Sequence, residues 1–202
     1  MPVDEQRTLV LRAARRVFAT SGLEAGTIEQ IAREAGVSRQ AVYELFGDKQ
    51  SLFRAVVADA EQEAYEALTL EVLEPAEHDL VSVARRNYAR LFSFVAENPD
   101  VYVVLQEAER RCEPALTRLR ERLSPVYAEA SRQRWAAHGI SSGRADQALV
   151  AMYFAMTEAL VALSQQEEGP DRDALIELLT QFTVGGVARV FRRHPEIIQR
   201  LR

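Results

Sequence analysis

The sequence predicts an all-α protein, and three observations carry that expectation. Apolar residues recur at spacings of three and four along nearly the whole chain, no segment alternates apolar and polar as a half-buried strand does, and residues that cap or stop helices punctuate the pattern. Of the 202 residues, 48% are hydrophobic and 27% charged, so the chain can bury a substantial core and is not globally disordered. No long Gly/Ser/Pro-rich stretch marks a flexible tether. The N-terminus carries acids ahead of its apolar residues and no run long enough for a secretory signal, and the single Cys112 excludes an intramolecular disulfide. A cytoplasmic protein is expected. The net charge of −5 argues against a protein that coats nucleic acid over its whole surface, so any such contact must be local.

From Glu5 to Thr20, Leu11, Ala14 and Phe18 fall on one face of an amphipathic helix, with Arg7, Arg12, Arg15 and Arg16 on its polar side. Ser21, Gly22 and Leu23 end it, Gly22 being suited to the left-handed C-terminal position. Thr27 followed by Gln30 fits a capping box, so a second helix starts at Ile28 and buries Ile28, Ile31, Ala32 and Ala35. Gly36 stops it, because a residue without Cβ adopts positive φ easily. Ser38 caps a third helix at Arg39, whose inward residues are Val42 and Phe46. Two short helices joined by Gly36, Val37 and Ser38 make a helix-turn-helix, in which Ala32 must be small where the helices cross and Val42 fills the gap between them. Ser38, Arg39, Gln40 and Tyr43 face outward with Glu44 beside them, where recognition helices meet base edges and phosphates. A polar-surfaced helical hairpin that binds no DNA has the same spacing.

The run TIEQIAREAGVSRQAVYELFGDKQSLF, preceded by FATSGLEAG, resembles the N-terminal domain of the TetR (tetracycline-repressor) family of transcriptional regulators. Thr27, Ile31, Ala32, Ala35, Gly36 and Val37 match, as do Ser38, Tyr43, Phe46, Lys49 and Leu52. The resemblance covers roughly the first quarter of the chain. It implies a three-helix helix-turn-helix domain over residues 1–48 and a larger helical ligand-binding and dimerisation domain over 49–202. It also implies a homodimer whose recognition helices enter successive major grooves of a pseudo-palindromic, double-stranded DNA operator. Position by position, Thr27 would meet phosphate at a helix N-terminus. Arg39 and Gln40 would reach base edges, since Arg pairs bidentately with guanine and Gln with adenine. Tyr43 would touch the backbone or a thymine methyl, beside Ser38. Lys49, the only lysine in a chain that otherwise uses arginine, would hold a phosphate. Glu44 departs from the family pattern, because an acid beside the groove repels phosphate unless it accepts from a cytosine amino group.

Asp48 can cap a fourth helix running through Leu52, Phe53, Val56, Val57 and Ala60 to about Leu73, ended by Glu74, Pro75 and Glu77. Under the resemblance it connects reading head to core. Leu80 to Glu97 carries Ala84, Tyr88, Leu91, Phe92 and Val95 on one stripe, stopped by Asn98 and Pro99. Val101, Leu105, Ala108 and Cys112 make a shorter helix, and Glu113 with Pro114 opens a longer one to Gly139, with a kink expected at Pro125. Between Ala148 and Leu163 the only polar side chains are Tyr153, Thr157 and Glu158, so this helix should be buried on most sides. It is short for a membrane span and carries an acid, so no membrane partner is expected. Ala148, Ala151, Ala155, Ala159 and Ala162 form a small-residue stripe open to close helix approach. The last helix offers Leu175, Leu178, Leu179, Phe182 and Phe191, while Gly185 and Gly186 within it cost about 1 kcal/mol each relative to alanine. In a TetR-like protein these two helices would pair with their symmetry mates as the dimer interface; packing inside a monomer is the alternative.

The resemblance also places an effector cavity among the middle helices. Tyr88, Phe92, Tyr102, Tyr127 and Phe154 are candidate wall, and Asn87, Thr157 and Glu158 candidate polar anchors, for a small apolar or amphipathic molecule. A salt bridge from Glu158 to Arg86 or Arg90 is the competing reading. His78, His138 and His194 lie far apart without a second spaced ligand, so no metal is expected, and without a P-loop or dinucleotide fingerprint no cofactor is either. An enzyme carrying a helix-turn-helix, such as a recombinase, needs a nucleophile and an acid–base cluster after Lys49, and none is visible. The expectation is a repressor, not an enzyme, released from its operator by the effector. The alternative is a helical interaction module without sequence-specific DNA binding.

Overall fold

The computed structural model describes residues 2–69, 79–137 and 145–201. The expected end of the connector helix near Leu73, its stop at Glu74, Pro75 and Glu77, the residues His78 and His138, and the end of the long helix at Gly139 lie outside the described residues. The described residues form ten helices and no strand, as the spacing predicts. They fall into two compact units, Met1–Glu66 with Glu97–Leu119, and Ala67–Ala96 with Arg120–Arg202.

In the first unit, α1 (Val3–Ala25) buries Val10, Ala13, Ala14, Val17 and Phe18, adding Val10, Ala13 and Val17 to the expected stripe and leaving Leu11 at its half-buried edge. Gly22 takes the left-handed φ of 72°, but the chain makes one more helical turn to Ala25 before leaving. α1 packs against α2 (Ile28–Ala35) and α6 (Pro99–Arg110). The ring of Phe18 meets that of Phe53 on α4 (Lys49–Thr69) edge-on at 5.4 Å. Its arginines do more than solvate. Arg15 bridges Glu63 at 2.5 Å and Asp100 at 2.9 Å, Arg16 pairs with Glu34, and Arg7 lies over the Phe46 ring at 4.5 Å. α4 is capped by Asp48, whose carboxylate accepts from the Ser51 N–H at 2.6 Å and is thereby held below its usual pKa. It buries Leu52, Phe53, Val56, Val57 and Ala60 as expected. Glu61, 7% exposed, is held by Arg118. Cys112 corrects the expectation: α6 ends at Arg110, and Cys112 is exposed with φ of 62° rather than seated on a buried stripe. The chain must leave the helix before Pro114, whose ring disfavours helical backbone at the residue ahead of it.

The second unit is built from α5 (Leu80–Glu97), most of α7 (Ala115–Ala137), α8 (Ala145–Ser164), α9 (Arg172–Arg193) and the short α10 (Pro195–Arg200). α7 continues through Pro125, whose missing N–H falls on an exposed position. Asp146, only 2% exposed, pairs with Arg132 and ties α8 to α7. α8 and α9 are long and apolar enough, by length and composition, to cross a membrane, and here they pack against each other. The expectation that α8 is buried on most sides is corrected. Only 22% of its apolar window is buried, along the Val150, Phe154, Thr157 and Val161 face, and the whole alanine stripe is exposed. Met152, Leu178 and Phe182 are also open, at 52%, 57% and 63%.

Candidate nucleic-acid interface and ligand cavity

The helix-turn-helix forms through local signals that the backbone obeys closely. The Thr27 hydroxyl accepts from the Gln30 N–H at 3.2 Å while the Gln30 side chain accepts from the Thr27 N–H at 2.9 Å, completing the capping box of α2. Gly36 sits at φ of 69°, its N–H on the carbonyls of Ala32 and Arg33, and the Val37 N–H returns to Ala32 at 3.0 Å. Ser38 caps α3 (Arg39–Phe46) by accepting from the Ala41 N–H at 3.1 Å. Ala32 and Val42 are 3% and 1% exposed, so the two helices cross on the residues the spacing selected.

That crossing leaves Ser38, Arg39, Gln40, Tyr43 and Glu44 exposed on one face of α3. The side chains of Arg39 and Tyr43 make no described hydrogen bond within the protein, and Tyr43 is 46% exposed despite its apolar ring. Gln40 is held: its Nε2 donates to Glu44 Oε1 at 2.8 Å. Glu44 therefore has a role the sequence left open, fixing the amide of Gln40. Thr27 also donates its hydroxyl to Gln30 Oε1 at 3.0 Å, so the anion-binding capacity at that end of α2 resides in backbone N–H groups. Lys49 is half-buried, and its ammonium donates to the carbonyls of Glu24 at 3.0 Å and Gly26 at 3.1 Å. One of its three N–H donors remains for a phosphate. Helix periodicity shows which face a residue occupies, but not that an ammonium reaches back 25 residues to cap a turn.

In the second unit a cavity of about 270 Å³ lies among α5, α7, α8 and α9. Its apolar wall includes Val83 and Tyr88 of α5, Tyr127 of α7, and Val150 and Tyr153 of α8. Asn87, Ser131, Arg134, Thr183 and Arg192 supply its polar groups. The hydroxyls of Tyr88 and Thr183 are hydrogen-bonded at 2.7 Å, and Tyr127 donates to the Leu68 carbonyl at 3.0 Å. Tyr153 stacks on Tyr88 at 5.0 Å and tilts against Tyr127 at 5.3 Å. Burial raises the hydroxyls of all three: Tyr88 upward, Tyr127 to about 12 and Tyr153 well above its ordinary value. Arg134 is pushed the other way, first by desolvation and then by the charge of Arg86.

Of the residues expected around an effector, Asn87, Tyr88 and Tyr127 line this cavity. Phe92 and Phe154 are buried but do not line it; Phe154 packs behind it, 5.1 Å from the rings of Tyr127 and Tyr153. Thr157, 1% exposed, donates to the Tyr153 carbonyl at 2.5 Å, and Tyr102 belongs to α6 of the first unit, where Gln106 donates to it. Glu158 is exposed and pairs with Arg120 at 3.1 Å, not with Arg86 or Arg90. Tyr153, Arg134 and Arg192 were missed. Tyr127, Ser131 and Arg134 share one face of α7 at spacings of four and three, which is the signal that could have found the arginine.

The family profile "Bacterial regulatory proteins, tetR family" matches residues 10–56, the segment holding the whole helix-turn-helix. The chain belongs to the TetR family. It is a DNA-binding transcriptional regulator through that domain, not an enzyme. This TetR-family chain is 28% identical over 204 residues to the transcriptional activator FasR of Mycolicibacterium smegmatis, covering 94% of this chain and 86% of FasR. It is 29% identical over 130 residues to the repressor BepR of Brucella suis, covering 61% and 62% of the two chains. The fold matches that of FadR from Bacillus subtilis, solved in complex with stearoyl-CoA, with a TM-score of 0.70 at 18% identity, covering 89% of this chain and 98% of FadR.

Proposed function

We propose that this TetR-family chain is a cytoplasmic, homodimeric repressor that leaves a pseudo-palindromic operator when a small apolar or amphipathic effector enters the cavity of the second unit. The observation that carries the reading is the outward face of α3, where Arg39 and Tyr43 project unengaged and Gln40 is oriented by Glu44. In this reading residues 1–48 read DNA and 49–202 hold effector and partner. Arg39 and Gln40 meet base edges, Ser38 and Tyr43 the adjoining backbone, and Thr27 and Lys49 the phosphates. The open apolar residues Met152, Leu178 and Phe182, with the exposed alanine stripe of α8, support pairing through α8 and α9. Effector and operator then favour different spacings of the two reading heads, and each weakens the other's binding by the same factor.

A gel shift against the DNA upstream of its own gene tests this. The expected result is a complex that survives excess nonspecific competitor. A folded dimer giving no such complex would favour the helical interaction module instead. Deleting the gene should raise transcription from the bound promoter, whereas a fall would make the protein an activator.

A further inference from the structure

We propose that Glu44 reads a base of its own: its carboxylate accepts from the exocyclic amino group of a cytosine in the major groove, so that each operator half-site carries one cytosine that α3 selects. This rests on the reading of α3 as the operator-reading helix and names the base chemistry that one of its residues recognises. Glu44 is exposed on the face that carries Arg39, Gln40 and Tyr43. Its side chain makes one described hydrogen bond, from Gln40 Nε2 to its Oε1 at 2.8 Å, and no described ion pair, whereas Glu34 on α2 and Glu63 on α4 hold Arg16 and Arg15. A carboxylate only accepts, so the amide nitrogen of Gln40 must face it, and Oε2 of Glu44 is left to accept from outside the protein.

The donor pattern of the groove decides which base meets that oxygen. Guanine offers N7 and O6 and thymine O4, all acceptors that repel a carboxylate, and only the amino groups of cytosine and adenine donate. The adenine amino group lies between two acceptors, its own N7 and the O4 of its thymine. The cytosine amino group has only the O6 of its guanine beside it, so a fixed anion selects cytosine. Gln40, held through one N–H, keeps the other N–H and its carbonyl oxygen, the donor and acceptor that adenine N7 and the adenine amino group require. The charge of Glu44 also repels phosphates at every site, and only a sequence that supplies the amino group offsets that cost. Discrimination therefore comes as much from weakened binding to other DNA as from the contact itself.

Gel-shift titrations of the full-length protein test this on operator duplexes in which single cytosines are replaced by 2-pyrimidinone, or single adenines by purine, each of which lacks the amino group. At one cytosine in each half-site the replacement should weaken wild-type binding at least about fivefold, and it should weaken Glu44→Ala, checked for retained helicity, by less than about twofold. Comparing the two proteins on the same duplexes removes the effect of the altered base on the duplex itself. Gln40→Ala leaves the carboxylate in place, so it should keep part of the cytosine effect while losing the effect at an adenine. If no cytosine replacement weakens the wild type more than Glu44→Ala, or if Glu44→Ala acts only at the adenine that Gln40→Ala also affects, the inference is overturned and the operator reading stands. A folded dimer that forms no competitor-resistant complex with any duplex would overturn the function proposed above together with it.

Discussion

Glu44 looks misplaced beside a phosphate backbone until its contact with Gln40 is seen. The sequence shows the acid and the face it occupies, but a rotamer held by a hydrogen bond four residues away is a three-dimensional choice. If the contact positions the Gln40 amide, Glu44→Ala should relax base preference at one operator position and leave affinity for nonspecific DNA unchanged or higher. Competition with single-base operator variants reads this, and a uniform change across all variants would remove the positioning role. Lys49 holds the carbonyls of Glu24 and Gly26 and, in the proposed function, a phosphate, and one mutant separates the two. Lys49→Ala should lose about 1 kcal/mol or more of stability from the uncapped carbonyls of Glu24 and Gly26, seen as a lower urea midpoint. It should also make the slope of log K against log salt shallower by somewhat less than about 1 per dimer arm. An unchanged midpoint contradicts the first role and an unchanged slope the second. The three cavity tyrosines give a pH signature. Their folded pKa values are raised, Tyr127 to about 12 from 10.0, so the unfolded chain ionises first as pH rises. Their contribution to stability is complete below pH 10 and declines above it, at up to about 1.4 kcal/mol per pH unit for each tyrosine. Urea midpoints that stay level from pH 10 to 12 would contradict their burial.

At the scale of elements, what was legible is what local chemistry decides. The capping box of Thr27 and Gln30, the left-handed Gly36 and the Ser38 cap bound α2 and α3 where the sequence places them, because each signal acts within one turn. Thr27→Ala should therefore cost about 1 kcal/mol in thermal or urea unfolding, and no loss would mean that tertiary packing alone sets the start of α2. The end of α6 was misjudged because apolar spacing continued through Cys112 after the backbone had turned ahead of Pro114. α8 was misjudged for another reason: apolar residues all round a helix show that it is covered, but not whether the cover is the same chain. The cavity was only half legible. Asn87, Tyr88 and Tyr127 could be picked out from helix faces, whereas Arg134 and Arg192 resemble ordinary surface arginines until α7 and α9 bring them to one hollow.

At the scale of the whole molecule, the proposed function calls for two copies of a chain whose reading head is nearly charge-balanced, so affinity in that reading comes from a few placed contacts doubled by symmetry. Phe182→Glu and Met152→Glu alter side chains that are 63% and 52% exposed, so the chain should fold normally yet sediment as a monomer; dimers at micromolar concentration would move the interface away from α8 and α9. Paired α3 helices reading an operator, as proposed, would protect DNA at a fixed spacing. The most direct measurement is a hydroxyl-radical footprint on the upstream DNA with the protein stoichiometry determined in parallel. The expected result is two protected patches one helical turn apart, about 34–36 Å centre to centre, with an even number of chains bound. Uniform protection without spacing, or a single patch held by one chain, would contradict it.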